Sequence, residues 1–374
     1  MTAMPLRVAL LGPANSIHVQ RWAAALVERG HAVCVLSQHR CDPTLLAPKA
    51  DVHWLPHEGT LGYFTNALAL RRHLARWRTD ILNVHYASGY GTTAALAGFV
   101  PTLMSVWGSD VYVFPHQSRI KGWLLRRNLR RATALAATSR AMAEQVRRLT
   151  PERGEIAITP FGVDLSRFSP APSRTASSSI TLGIVKSLAP QYGLDLLLHA
   201  FAGLCADAQV RAAYVDCRLL VVGGGPQREA LAQLAGQLGI ADRTQFVGPV
   251  AHAEVPRWLH QLDIFAAPSR SESFGVAVIE AGACGLPVVV SDAGGLPEVV
   301  VDGQTGIVVP CNDVPALQAA LKRLVLDPAL RERLGRHGRA HVEREYEWGR
   351  CVERMEALYV DTIRRAVGPI TSRP

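Results

Sequence analysis

Residues 169–179, SPAPSRTASSS, contain no large apolar side chain, and a stretch with nothing to bury stays out of any core. The same pattern lies on either side of it. Before it, short apolar runs at 6–11, 32–37, 81–84, 102–106, 132–137 and 156–159 alternate with helical periodicity. The first helix covers 16–29 and is stopped by Gly30. After it, runs at 180–185, 218–222, 245–247, 264–267, 288–291 and 307–309 alternate with helical stretches at 194–208, 226–238, 274–284 and 313–326. Such alternation predicts mostly parallel sheets covered on both faces. The break between the two series therefore predicts two doubly wound α/β domains, at 1–168 and 180–345, joined by a linker at 169–179. From about residue 328 the chain is helical and charged. Trp348, Val352, Met355, Leu358, Tyr359 and Ile363 give 346–374 helical spacing, and this last helix is expected to pack back across the domains. A length of 374 residues suits two cores of ordinary size better than one.

The charge is unevenly placed. Residues 1–170 hold 20 of the 40 Lys and Arg but only 10 of the 31 Asp and Glu, so the whole surplus of +9 belongs to the first half. That fits an anionic partner there, such as a phosphorylated lipid, a membrane surface or nucleic acid, and equally a device for solubility. The seven cysteines are scattered, with no zinc or redox spacing, as in a reducing compartment. No apolar run approaches the roughly 20 residues of a membrane span, and the run at 6–11 is too short for a signal-peptide core. These features together predict a cytoplasmic protein.

The densest chemistry lies in PSRSESFGVAVIEAGACGLPVVVSDAGGLPEVVVDGQTGIVVP, residues 268–310. A strand ends at Pro268, and a short polar loop leads to a helix starting near Phe274. The N–H groups of Phe274, Gly275 and Val276 are then the unpaired donors of a helix start, a ready anion site, and Gly275 permits close approach of a phosphate. Glu272 precedes that site and Glu280 lies about two turns beyond it. Either glutamate alone reads as a cap or a surface charge. Glu280, however, sits among Val276, Val278, Ile279 and Ala281, where an unpartnered charge is costly, and this favours a ligand-facing role. Two carboxylates flanking a phosphate site suit a ligand with hydroxyls on both sides of a diphosphate, and a nucleotide sugar is such a ligand.

The segment resembles the donor-binding signature of glycosyltransferase family 4. Its pattern here is Glu272, Phe274-Gly275, Glu280 and the downstream Gly294-Gly295-Leu296-Pro297-Glu298. GHAVCVLS (30–37), VWGSD (106–110), VVGGGPQREAL (221–231) and FVGPV (246–250) extend the resemblance over nearly the whole chain. It implies a GT-B fold, two Rossmann-like domains facing a central cleft. It implies retaining transfer of a hexosyl unit from a UDP- or GDP-sugar to a glycan or lipid-linked acceptor, in polysaccharide or glycoconjugate synthesis, with neither metal nor cofactor. By resemblance Glu272 approaches the sugar hydroxyls, Ser273 and the amides of Phe274, Gly275 and Val276 meet the diphosphate, Glu280 bonds the ribose, and Val247, Gly248 and Val250 lie at the base.

The sequence also departs from that pattern. The family places an Arg and a Lys, as G-R-L-x-x-x-K-G, where this chain has VKSLAPQYG (185–193). Ser187 and Tyr192 take those positions, so Lys186 is the nearby cation expected to meet the diphosphate. Trp107 stands where many members have a His, and Asp110 follows it, read either as orienting a substrate hydroxyl or as a loop cap. Gly12, after the first strand, allows close backbone approach to a ligand. His18, Arg21, His85 and Tyr86 also follow strand ends and are candidates for the acceptor side. The stretch Arg119–Arg131, RIKGWLLRRNLRR, mixes Trp123, Leu124, Leu125 and Leu129 with arginines and Lys121. It reads as a membrane-surface helix or as a simple amphipathic helix on its sheet, and no motif points to nucleic acid. A nucleotide-sugar-binding module without transferase activity and an epimerase-like relative are the alternatives. A dehydrogenase is the weakest reading, because Gly223-Gly224-Gly225-Pro226 lacks the G-x-G-x-x-G spacing.

Overall fold

The protein is described by a computed structural model over residues 4–171, 179–213 and 216–367. It divides into two compact units, one formed by the chain up to Pro160 with the segment from Gly349 onward, the other by Phe161–Trp348. The division falls earlier than the expected boundary at residue 168. The reason is local: Phe161 packs edge-on against Phe274 and Phe168 lies beside His252, both within the second unit. Of the expected linker, residues 172–178 lie outside the described residues.

The first unit is built on seven strands: β1 (Arg7–Leu11), β2 (Ala32–Ser37), β3 (Asp51–Trp54), β4 (Ile81–His85), β5 (Thr102–Val106), β6 (Ala134–Ala137) and β7 (Ala157–Ile158). All pair in parallel, in the order β3-β2-β1-β4-β5-β6-β7. The inner strands are apolar runs such as Val8–Leu11 with no exposure, as a sheet covered on both faces requires. β3 has no counterpart among the expected strands. It is four residues long, lies at the edge and is only partly buried, so its sequence carries no continuous apolar signal. The helix Trp348–Val367 is docked on this sheet by Tyr359, whose hydroxyl receives Asn83 Nδ2 at 2.8 Å. Glu356 fastens it further, binding Arg29 Nη1 at 3.0 Å and His31 Nε2 at 2.8 Å.

The second unit has six parallel strands: β8 (Ser179–Val185), β9 (Asp216–Val222), β10 (Thr244–Gly248), β11 (Ile264–Ala267), β12 (Val288–Ser291) and β13 (Ile307–Val309), in the order β10-β9-β8-β11-β12-β13. In each sheet the order changes direction once, between β1 and β4 and between β8 and β11. At such a switch point the connecting helices leave to opposite faces, and a crevice opens beyond the carboxyl ends of the two strands. Both crevices are lined by candidate residues from the sequence.

Candidate functional site

In the second unit, β8 ends at Val185 and delivers Lys186 to one lip of the crevice. β11 ends at Ala267, and the loop after it delivers Glu272 to the other. The Lys186 ammonium lies 2.5 Å from Glu272 Oε2, and the two side chains are 19% and 11% exposed. Glu272 Oε1 receives the N–H of Ser273 at 3.1 Å. Lys186 also stands 4.2 Å from the centre of the Tyr192 ring, in cation–π geometry. Tyr192, which departs from the family pattern, thus has a local contact with the site.

The helix after Glu272 begins at Val276, two residues later than expected, because Gly275 caps it with φ 111°. That left-handed backbone suits glycine. Among the described residues, no protein group accepts the N–H of Phe274, Gly275 or Val276, which leaves the three as the donors that a helix start presents. The loop is held from below by the Gly-Gly of the motif. Gly295 donates its N–H to Glu272 O at 3.0 Å, and a Cβ on Gly294 would stand 1.9 Å from the same oxygen. The glycine pair is therefore a bed for the Glu272 backbone.

Glu280, on the helix Val276–Ala283, is 5% exposed and its Oε1 meets His252 Nε2 at 2.8 Å. Glu280 is buried as expected, but it is not unpartnered: its protein partner is a histidine absent from the sequence reading, so burial alone no longer argues for a ligand-facing role. Twenty-eight residues separate the two, and no local spacing links them. A cavity of about 570 Å³ adjoins Lys186, lined by Ser187, Gly223–Gly225, Pro249, Val250 and Val255 among others. Gly248 closes the end of β10, with Gly223 donating to its carbonyl at 2.9 Å. Lys186 and Val250 thus face one cavity, with Val247 and Gly248 in the strand that leads to it. The glycine run after β9 packs against the backbone of Lys186–Leu188, where a Cβ on Gly223 would stand 1.9 Å from Lys186 O.

In the first unit the candidates gather around Trp107. Its ring lies 4.5 Å from His85, 5.0 Å from Tyr86 and 5.5 Å from His18, centre to centre. His18 and Arg21 share the helix Ile17–Glu28. Gly12 and His85 face each other across the β1/β4 switch point: a Cβ on Gly12 would come within 3.0 Å of His85 Cβ. The room that Gly12 leaves is taken by this histidine. His85 is 1% exposed, and among the described residues neither ring nitrogen has a partner. Burial, with His18 adding a smaller push, lowers its pKa to about 3, so the ring is neutral at pH 7.

Asp110 is 1% exposed. Its Oδ1 accepts the N–H groups of Gly108 at 2.8 Å and Trp107 at 3.2 Å, and its Oδ2 that of Ala87 at 2.9 Å. Desolvation raises its pKa, and those amides oppose the shift. Of the two expected roles, this geometry is the loop cap: it ties the end of β5 to the residue after Tyr86.

On the helix Arg119–Arg131, Leu125 and Leu129 turn inward, while Ile120 and Trp123 are 76% and 60% exposed. Asn128 holds the helix to the strand end, its amide reaching Ala87 O at 2.9 Å and Thr92 Oγ1 at 2.8 Å. Among the described residues no helix is long and apolar enough to cross a membrane.

Residues 167–341 match the family model of glycosyl transferases group 1, and residues 7–139 match that of glycosyl transferase 4-like domains. The D-inositol 3-phosphate glycosyltransferase of Streptomyces avermitilis is 36% identical over 225 residues, 56% of this chain and 47% of that one, so the chain spans about half the length of that relative. A GDP-mannose-dependent monoacylated alpha-(1-6)-phosphatidylinositol monomannoside mannosyltransferase of Corynebacterium glutamicum is 31% identical, covering 71% of this chain and 74% of that protein. Among solved structures, the sucrose-phosphate synthase of Thermosynechococcus elongatus superposes with a TM-score of 0.80, at 23% identity, over 95% of this chain and 98% of that one. The chain belongs to the group 1 glycosyl transferases, glycosyltransferase family 4, and has the GT-B fold. Its class is accordingly that of a glycosyltransferase enzyme.

Proposed function

We propose that this chain is a retaining hexosyltransferase that takes its sugar from a UDP- or GDP-sugar and delivers it to a glycan or lipid-linked acceptor. The observation that carries the reading is the Lys186–Glu272 pair across the β8/β11 switch point, beside a cavity and next to three amides without protein acceptors. In this reading the donor's diphosphate lies on the N–H groups of Phe274, Gly275 and Val276, with Ser273 beside them, and takes the Lys186 ammonium. Glu272, released from the lysine, accepts the sugar hydroxyls. Glu280, oriented by His252, receives the ribose, and the base enters the cavity at Gly248 and Val250. Negative charge grows on the leaving diphosphate, and fixed amides with a partly buried cation are worth most at that moment. No metal is assigned a part, because lysine and amides suffice for the charge.

This reading assigns no side chain the part of a covalent nucleophile. Retention follows if the acceptor attacks from the face the diphosphate leaves, with a leaving oxygen taking the acceptor's proton. The cluster of His18, Arg21, His85, Tyr86 and Trp107 is the acceptor side in this reading, and Asp110 positions its loop. A lipid-linked acceptor accords with the outward Ile120 and Trp123 among arginines, which suit contact with an anionic membrane face. The GDP-mannose dependence in the name of the Corynebacterium relative puts GDP-sugars beside UDP-sugars in the first trial.

The test is a panel of UDP-, GDP- and ADP-sugars screened by thermal shift, since a bound donor raises stability by mass action. Nuclear magnetic resonance of the product with the best donor then gives the anomeric configuration. A preserved configuration supports the reading. Inversion, or binding without transfer to any sugar acceptor, overturns it.

A further inference from the structure

Tyr192 occupies the turn where the family pattern has a lysine, and its ring lies under Lys186, the cation paired with Glu272 among the described residues. The turn is fixed in place. Gln191 O accepts the N–H groups of Arg270 at 2.8 Å and Ser271 at 3.1 Å, so it is bonded directly to the loop that carries Glu272. Arg270 adds a two-pronged contact to Asp195, at 2.7 and 2.6 Å. Gly193 closes the turn so tightly that a Cβ there would stand 2.0 Å from Pro268 O. Among the described residues the Tyr192 hydroxyl makes no hydrogen bond, so the ring face is its contact with the site.

Lys186 needs a second constraint. Its stem is long and flexible, and a carboxylate at 2.5 Å is a strong competitor for its charge. An aromatic face attracts the ammonium without neutralising it. We propose that Tyr192 is a positioning residue: its ring holds the Lys186 ammonium at the lip of the cavity, where it passes from Glu272 to the donor's diphosphate. The pair Lys186 and Tyr192 thereby replaces the turn lysine of the family pattern. Diphosphate binding then frees Glu272, so sugar recognition is coupled to phosphate recognition. The proposal rests on the reading that Lys186 contacts the diphosphate.

Calorimetric titration of the full chain with inorganic pyrophosphate tests both and separates them. Lys186→Met should lose most of the affinity; unchanged binding there removes the diphosphate reading and this proposal with it. Tyr192→Leu should weaken binding about 2- to 30-fold, with Tyr192→Met as a second variant of different shape. Tyr192→Phe, which keeps the ring face, should recover most of that loss. The decisive comparison is a double-mutant cycle. In the Lys186→Met background, Tyr192→Leu should cost nothing further. An equal cost in both backgrounds means that the ring only shapes the turn, and no cost in the wild type means that it does nothing for the cation; either result overturns the proposal while leaving Lys186 on the diphosphate.

Discussion

Lys186 and Glu272 meet at 2.5 Å across the point where the second sheet reverses its strand order. Each is mostly buried, and each is the other's ionic partner in the resting site. Removing one leaves a poorly solvated charge behind, whereas removing both leaves none. Lys186→Met and Glu272→Gln should therefore each lower turnover by about 100-fold or more, the range for losing a group that meets developing charge. Lys186→Met should also lower the thermal midpoint, and the double variant Lys186→Met/Glu272→Gln should regain that stability without regaining turnover. Thermal unfolding beside donor turnover reads both effects. Recovery of turnover in the double variant would show that the pair is structural.

Gly294 supplies the second test, because it touches Glu272 through the backbone alone. Its φ is 54°, and an added Cβ would stand 1.9 Å from Glu272 O. Gly294→Ala must push the Glu272 loop away from β12. The expected outcome is a donor KM raised about tenfold, with a stability loss of about 1–2 kcal/mol from the strained backbone and the clash. Steady-state kinetics and urea denaturation measure these. A KM within twofold of wild type would mean that the loop does not hold the donor.

Much of this arrangement is legible in the residues. Apolar runs bounded by glycine and proline place the inner strands to within a residue or two, because a strand buried on both faces leaves a continuous signal. The edge strand Asp51–Trp54 leaves none, being short and half exposed. Glu272, Gly275 and Glu280 are legible because they lie within one loop and the helix it starts. His252 and the contact of Tyr192 with Lys186 are not, since they join segments from separate strand ends, and only the sheet order brings those together. Asp110 shows a different limit. A carboxylate after a strand reads equally as a ligand group or a cap, and the cap becomes visible only in the three amides it accepts.

His252 gives a prediction about the nucleotide end of the donor. Its Nε2 lies 2.8 Å from Glu280 Oε1, while its Nδ1 is buried with no partner among the described residues. His252→Leu removes the group that orients Glu280 and should raise the donor KM by about five- to tenfold. Turnover at saturation should change little, because the ribose is bound equally in the ground and transition states. An effect confined to kcat would place the pair nearer the reacting atoms than this reading allows.

The last prediction concerns acid. His85 lies at the end of β4, 1% exposed, with both ring nitrogens unpartnered among the described residues and its pKa lowered to about 3 by burial and, less, by His18. An unfolded chain protonates the same ring near pH 6.5. Between those two values the unfolded state binds more protons than the native one, so stability falls as the pH falls through this window. Above pH 6.5 the ring is neutral in both states and contributes no slope. At pH 5 the loss from this one group is about 2 kcal/mol by linkage. Carboxylates add slopes of their own, so the informative quantity is a difference between two proteins. His85→Leu removes this histidine and keeps the rest of the titrating groups. Urea denaturation of both proteins at pH 7.5 and pH 5 should show the wild type losing about 2 kcal/mol more than the variant. Parallel losses would mean that the imidazole is solvated or paired in the native protein.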